Sequence, residues 1–438
     1  MPEHPNLRRT RAIILATLAL VCLTSAPFVQ LTIRVVGGTL DGGSWAYIYT
    51  YWFAALVGLA YFARQVQVSD PFQLLSLIIV SAFGTWLLAS VTWAGDFGLP
   101  ALALLTSALL LAAAGFGLMD FAGQTWSLFV STQSLAVLSI IEELRRPGDG
   151  LAGGGNWQGI FANRNTLGPV AAIGCIAALG IWLQRPGRRT AAVAMAAAVI
   201  DVFLVWQAAS ATAIVSLAAA VVALGLTLLV AVFQRRGTRG STVVICCGLG
   251  LGVATAFVVV AASIGLDLVG RSSTFTGRRG LWEYLIDSTA DARWLGLGYG
   301  SYWADPERIA PYIIESQSGW DSAHSTAVEV LIGTGVIGVV LLAALVGRAV
   351  TVTSKAVWQT RTPATYWWVA ILTFAITENL TESMIAFQSM FWLLIVAACF
   401  RPTAGSGIKL ISAEPSIDAL AADDTVDHLP RAVSTNSR

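Results

Sequence analysis

The sequence predicts an all-α polytopic membrane protein of about 12 transmembrane helices, with one long extracytoplasmic loop carrying short helices. Three observations carry that prediction. The composition is 56% hydrophobic and 12% charged, whereas a soluble domain carries about 25% charged residues. The apolar residues come in runs of the length a bilayer requires, about 20 residues. The arginines are distributed unevenly between those runs. A net charge of +1 does not supply the basic face that a nucleic-acid binder needs, so no nucleic acid is expected as a partner. The expected surroundings are a lipid bilayer.

The candidate spans lie near residues 12–33, 45–63, 72–93, 99–119, 121–141, 166–184, 190–208, 210–233, 241–265, 325–347, 365–380 and 384–400. The first follows Arg8, Arg9 and Arg11. It is too long for a signal-peptide core and lacks a convincing cleavage site, so it reads as a retained span. The fourth and fifth are divided only around Asp120, and the last two around Glu378–Ser383. An even count puts both termini on one side. If that side is the cytoplasm, the inner segments carry Arg8, Arg9, Arg11, Arg64, Arg185, Arg188, Arg189, Arg235, Arg236, Arg239, Arg348, Lys355, Arg361 and Arg401. The short outer loops carry only Arg34, Arg145, Arg146 and Arg164. This is the positive-inside asymmetry, and it predicts a multi-pass membrane protein with both termini cytoplasmic. Residues 1–401 then form the transmembrane domain. Residues 402–438, rich in Ala, Ser, Asp and Pro and without a periodic apolar face, read as a disordered cytoplasmic tail. All five cysteines, Cys22, Cys175, Cys246, Cys247 and Cys399, fall in apolar runs. They read as small buried hydrophobes, not as disulfide or metal-thiolate partners.

The outer side receives the long loop, 266–323, and loops of that length usually have a function. Residues 280–290 predict a short helix with Leu281, Leu285 and Ile286 as its apolar stripe, and Pro306 and Pro311 bracket another short segment. Polar groups from several spans collect at this side. They are Asn163, Arg164 and Asn165; Gln207 and Ser210; Arg278 and Arg279; His324; and Glu378, Asn379, Thr381 and Glu382.

His4 and His428 sit in polar tails, so His324 is the only imidazole near the folded body. Asp321 or Ser322 can cap the helix that follows, and Thr326 and Glu329 have the spacing of a capping box. A neutral imidazole in that setting can accept a proton, as a general base must. The other reading is a hydrogen-bonded histidine at the membrane interface, and for Glu329 a helix cap. One histidine with Asp321 and Glu329 is too few ligands for a metal, and no metal or cofactor is expected. Arg164, Arg278 and Arg279 are forked donors suited to phosphate oxygens. Gly277 and Gly280 would let such a ligand approach the backbone. Alternatively these arginines touch lipid headgroups or carboxylates, a role that fits Arg279 best. Asp201, in the middle of the seventh span, is either functional or a structural pair with a polar group of another span.

Several segments resemble the O-antigen ligase and O-antigen polymerase superfamily of bacterial membrane glycosyltransferases. They are Gly159-Ile160-Phe161-Ala162-Asn163-Arg164-Asn165, Thr276-Gly277-Arg278 with Trp282, and the Gly-x-Gly-x-Gly run at 296–300. They continue with His324 and Glu329 ahead of Gly335-Val336-Ile337-Gly338, then Asn379-Leu380-Thr381-Glu382-Ser383. Two departures stand out. Ser325 follows the histidine where the family usually has Asn, and the run Ser210-Ala211-Thr212-Ala213 lacks a basic residue that many members carry. The resemblance implies glycan transfer from an undecaprenyl-pyrophosphate donor to an acceptor hydroxyl on a glycan or glycolipid, at the extracytoplasmic face. It implies that His324 takes the acceptor proton and that Arg278 stabilises the leaving pyrophosphate. Arg164, Asn165, Arg279, Glu378 and Glu382 would then bind or orient substrate. The departure near Ser210 favours a polymerase or exopolysaccharide type over a ligase. The alternative is a transporter or flippase of lipid-linked saccharides, although the chain shows no pair of related halves.

Overall fold

A computed structural model describes residues 5–23, 40–66, 70–94, 99–145, 151–152, 156–161, 164–184, 186–235, 278–316, 320, 322–383 and 389–400. The ninth expected span (241–265), the start of the long loop through Gly277, Asn163, Asp321 and the tail from 402 lie outside them. The first helices are α1 (Pro5–Leu23), α2 (Leu40–Gln65), α3 (Pro71–Ser90), α4 (Leu99–Gly117) and α5 (Phe121–Arg145). A two-stranded antiparallel hairpin, β1 (Leu151–Ala152) and β2 (Asn156–Trp157), leads to α6 (Arg164–Gln184), α7 (Arg188–Ala208) and α8 (Ala211–Arg235). Three short helices follow in the long loop: α9 (Arg278–Ser288), α10 (Ser301–Ala304) and α11 (Pro306–Ser316). The last are α12 (Thr326–Thr360), α13 (Pro363–Thr381) and α14 (Met390–Ala398).

Six of these stretches are long and apolar enough to cross a bilayer: Pro71–Trp93, Phe121–Arg145, Arg164–Gln184, Arg188–Ala208, Ala211–Phe233 and Thr326–Thr360. Helices also stand at the other expected positions within the described residues, but α1 and α4 offer only the shorter apolar stretches Thr10–Leu23 and Leu102–Gly117. The architecture is therefore all-α and multi-pass, while a count of 12 spans does not follow from it. The clearest departure is α14. Its nine residues are all buried, and at about 1.5 Å per residue it is far shorter than the hydrocarbon core.

Helix contacts rely on small residues, as expected where lipid supplies no hydrophobic drive between helices. A side chain on Gly58 of α2 would run into Ala112 of α4, and one on Gly117 of α4 into the Ala397 carbonyl of α14. Around α13 the wide buried indoles need polar partners. Trp367 donates to Ile176 O at 2.7 Å and Trp368 to Gln124 Oε1 at 2.8 Å, fastening α13 to α6 and α5.

Two ends of the bundle can be told apart by their contacts. At one end, Arg348 of α12 donates to Ser76 Oγ (2.9 Å) and Phe72 O (2.6 Å) of α3. Its guanidinium also lies 3.8 Å from the centroid of the Phe72 ring. Ser76 passes the link on to Cys399 O beyond α14 at 2.6 Å, and Phe62 of α2 meets Phe400 edge-on. The other end holds the loop helices, the start of α12 and the end of α13.

The expected span 325–347 is not a plain helix. α12 runs on to Thr360 and is broken at Gly335, which has φ 69° and ψ −171°. The loop descends into that break. Leu297 N donates to Ile332 O (3.0 Å), Gly298 N to Gly333 O (2.7 Å) and Trp86 Nε1 to Thr334 O (3.0 Å). In return Val336 N donates to Arg293 O at 2.9 Å. Gly296 takes φ 71°, and a side chain there would collide with the Gly333 backbone. Irregular backbone at membrane depth is tolerated only when protein covers and satisfies it. The glycine run at 296–300 does that.

The loop helices depart from the expected pattern in two details. In α9, Leu281 and Leu285 are buried but Ile286 is turned outward. Pro311 lies inside α11 and does not end a segment.

Candidate active site

Glu382, one residue past α13, sits between a guanidinium and an imidazole. Its Oε1 accepts from Arg278 Nη2 at 2.7 Å and, more weakly, from Thr212 Oγ1 at 3.5 Å. Its Oε2 lies 3.0 Å from His324 Nδ1. The side chain of Glu382 is 7% exposed, that of Arg278 12% and that of His324 22%. The carboxylate is thus buried beneath two cationic or proton-bearing groups that still reach solvent. An ionised carboxylate can only accept, so Nδ1 carries the hydrogen in the neutral ring and Nε2 is left as the proton acceptor. The hydrogen bond on one ring nitrogen sets the chemistry of the other.

The backbone at His324 is unusual. Its φ is 49°, in the left-handed region that non-glycine residues enter rarely and at a cost. The flanking residues hold it there. Ala323 N donates to Glu329 Oε2 at 3.0 Å, Ala323 O accepts from Trp282 Nε1 at 2.7 Å, and Ser325 N donates to Ser383 Oγ at 3.0 Å. Trp320 packs edge-to-face on the imidazole with centroids 5.3 Å apart.

The capping expectation changes in detail. The N-cap of α12 is Ser325, and its side chain makes no cap hydrogen bond. Glu329 instead turns back into a buried junction, accepting from Ala323 N, from Trp303 Nε1 at 2.5 Å and from Ser383 Oγ at 3.1 Å. It joins α10, the His324 loop and the segment after α13. Thr326 completes the seam, donating to Asn379 Oδ1 at 2.8 Å.

The other singled-out residues fall in different places. Arg164 and Asn165 open α6, half-buried. Two contacts put them at the same end as the trio: Gly168 of α6 abuts Ser210, and Thr212 nearby reaches Glu382. Arg279 points away, 86% exposed and paired with Glu283 at 2.9 Å. Glu378, one turn before Glu382, is fully buried with neither oxygen hydrogen-bonded, and it faces the Ser216 hydroxyl of α8. Asp201 is buried on α7, where Gln133 of α5 donates to it at 2.7 Å and Gly174 of α6 lies against it, and these contacts do not involve the trio. Among the described residues no three His, Cys, Asp or Glu side chains gather as metal ligands. Sequence reasoning gave no role to Trp303 or Trp320. Trp303 closes the Glu329 junction, and the one prior signal was its place just after the glycine run.

Residues 187–343 match the model of the O-antigen ligase family. The matched span holds Arg278, His324 and the broken part of α12, and it excludes Arg164 and Glu382. A curated relative is the exopolysaccharide production protein ExoQ of Rhizobium meliloti (strain 1021). It is 28% identical over 211 residues, 44% of this chain and 46% of that protein. Over these stretches the chain is similar to the O-antigen ligase family and to ExoQ. The chain thus aligns with less than half the length of this relative.

Proposed function

We propose that the protein is a membrane glycosyltransferase. It takes a glycan from an undecaprenyl-pyrophosphate carrier and joins it to an acceptor hydroxyl at the extracytoplasmic face of the inner membrane. The observation that carries this reading is Glu382 bridging His324 Nδ1 and Arg278 Nη2. His324 Nε2 takes the proton of the acceptor hydroxyl as its oxygen attacks the anomeric carbon. The bond from that carbon to the phosphate oxygen breaks, and its electron pair stays on the departing pyrophosphate. Arg278, held by Glu382 at 2.7 Å, is the guanidinium that stabilises that charge. Glu382 is the positioning residue, holding the ring tautomer and the guanidinium at once. Arg164 and Asn165 at the same end contribute to donor binding, and Arg279 contributes little.

The product is a lengthened chain, so the reaction is of the polymerase or exopolysaccharide type. Two observations support this: Thr212 stands in the run that lacks a basic residue, and the relative is named for exopolysaccharide production. The test is reconstitution with a polyprenyl-pyrophosphate oligosaccharide. Released polyprenyl pyrophosphate with a lengthening glycan is expected. Intact donor moving across the vesicle without release would favour a transporter. The broken α12 is the one feature a transporter would share, but its open backbone is occupied by the protein's own loop.

A further inference from the structure

A cavity of about 920 Å³ lies between α1, α2, α4 and α14. It belongs to the end of the bundle away from His324. Phe62 of α2 meets Phe400 edge-on beside the Arg348 contacts, and Ser127 of α5 reaches Ile13 O of α1 at 3.5 Å. Its lining is sorted by polarity. Arg11, Tyr61, Arg64 and Gln65 stand at one end, while Leu20, Leu23, Phe53 and Met390 stand at the other. Among the described residues the charged ones in the lining are the two arginines. From Arg11 to Leu23 on α1, and from Gln65 back to Phe53 on α2, the path is roughly 18 Å. That is slightly more than half the roughly 30 Å of bilayer hydrocarbon. Leu15, Phe53 and Leu56 in the wall are left exposed, so the cavity opens to the bilayer side.

A cationic rim over an apolar slot one leaflet deep has the polarity and length of a lipid with an anionic head. Asp120 lies near Tyr61 and caps Gly123 N at 2.7 Å, so the rim balances two guanidiniums against one carboxylate. We infer that this slot binds one anionic phospholipid of the leaflet opposite the His324 site, its phosphate at Arg11 and Arg64 and an acyl chain along α1 and α2. The site stands apart from the transfer reaction and does not depend on it.

The test uses the full chain in nanodiscs, with retained lipid measured by native mass spectrometry. Phosphatidylglycerol is compared with phosphatidylcholine of the same chains. One phosphatidylglycerol per protein is expected, preferred roughly tenfold, with the preference weakening as salt rises. Arg11→Gln with Arg64→Gln should erase the preference, and Ala16→Phe, which narrows the slot, should release lipid whatever its head. If the double variant does not stay monodisperse, the salt titration and Ala16→Phe decide. Equal retention of the two lipids by the wild type would overturn the inference. So would phosphatidylglycerol binding that survives both changes, or its displacement by equimolar undecaprenyl phosphate.

Discussion

Two arginines, Arg348 buried and Arg278 half-buried, stand at opposite ends of this bundle, and they are held in different ways. Arg348 is satisfied by neutral groups: the Ser76 hydroxyl, the Phe72 carbonyl and the Phe72 ring. The effect of that arrangement is to staple α12 to α3. Arg278 is held by a carboxylate that it shares with an imidazole, and both of the carboxylate's partners reach solvent. A charge neutralised by a carboxylate can be handed to a phosphate when one arrives; a charge dissolved in carbonyls and a ring face cannot be withdrawn without orphaning them. The first kind of arginine suits a reacting centre and the second suits a joint.

That contrast can be broken by substitution. The largest effect is expected at His324→Ala, which should lower kcat by about 10²–10⁴-fold while insertion and melting behaviour are kept. Turnover near the wild-type rate would remove the imidazole from the chemistry. Arg278→Ala should cost about 10²–10³-fold, the scale of losing one donor to a developing anion; single-turnover release of polyprenyl pyrophosphate reads it directly. Glu382→Gln keeps the shape but lets the amide impose the wrong ring tautomer, so a loss of about 10²-fold in kcat is expected with donor KM little changed. A loss confined to KM would make Glu382 a binding residue only. Arg348→Met should leave kcat within about twofold and lower stability by about 1–3 kcal/mol, because Ser76 Oγ and Phe72 O lose a charged donor that ties α12 to α3. Thermal unfolding in detergent measures that. Arg279→Ala should do almost nothing to either quantity, since its ion pair with Glu283 is exposed and screened by solvent.

Hydropathy located the helices because lipid selects on composition, and a run of about 20 apolar residues carries that signal locally. It could not see the break at Gly335, where composition stays apolar and only the backbone changes. Nor could it show that the glycines at 296 and 298 are spent on that break, because their partners lie more than thirty positions away. Counting spans brought residues 278, 324 and 382 to one end of the molecule. Which oxygen faces which nitrogen depended on the turn after α13, and no periodicity encodes that. Glu329 shows the limit most plainly. The spacing from Thr326 suggested a cap, yet the side chain serves Ala323, Trp303 and Ser383, three groups that converge only after the loop has folded back.

The interrupted α12 also bears on how the protein is made. The carbonyls of residues 332, 333 and 334 and the amide of Val336 all depend on partners outside the helix. Exposed to hydrocarbon, each would cost several kcal/mol. The carboxyl half of this segment therefore cannot settle in the bilayer in its final shape as an independent hairpin. Either it enters as an unbroken helix and unwinds when residues 293–298 arrive, or the two insert together. In both routes the last step of biogenesis is the same event that seats the backbone around His324.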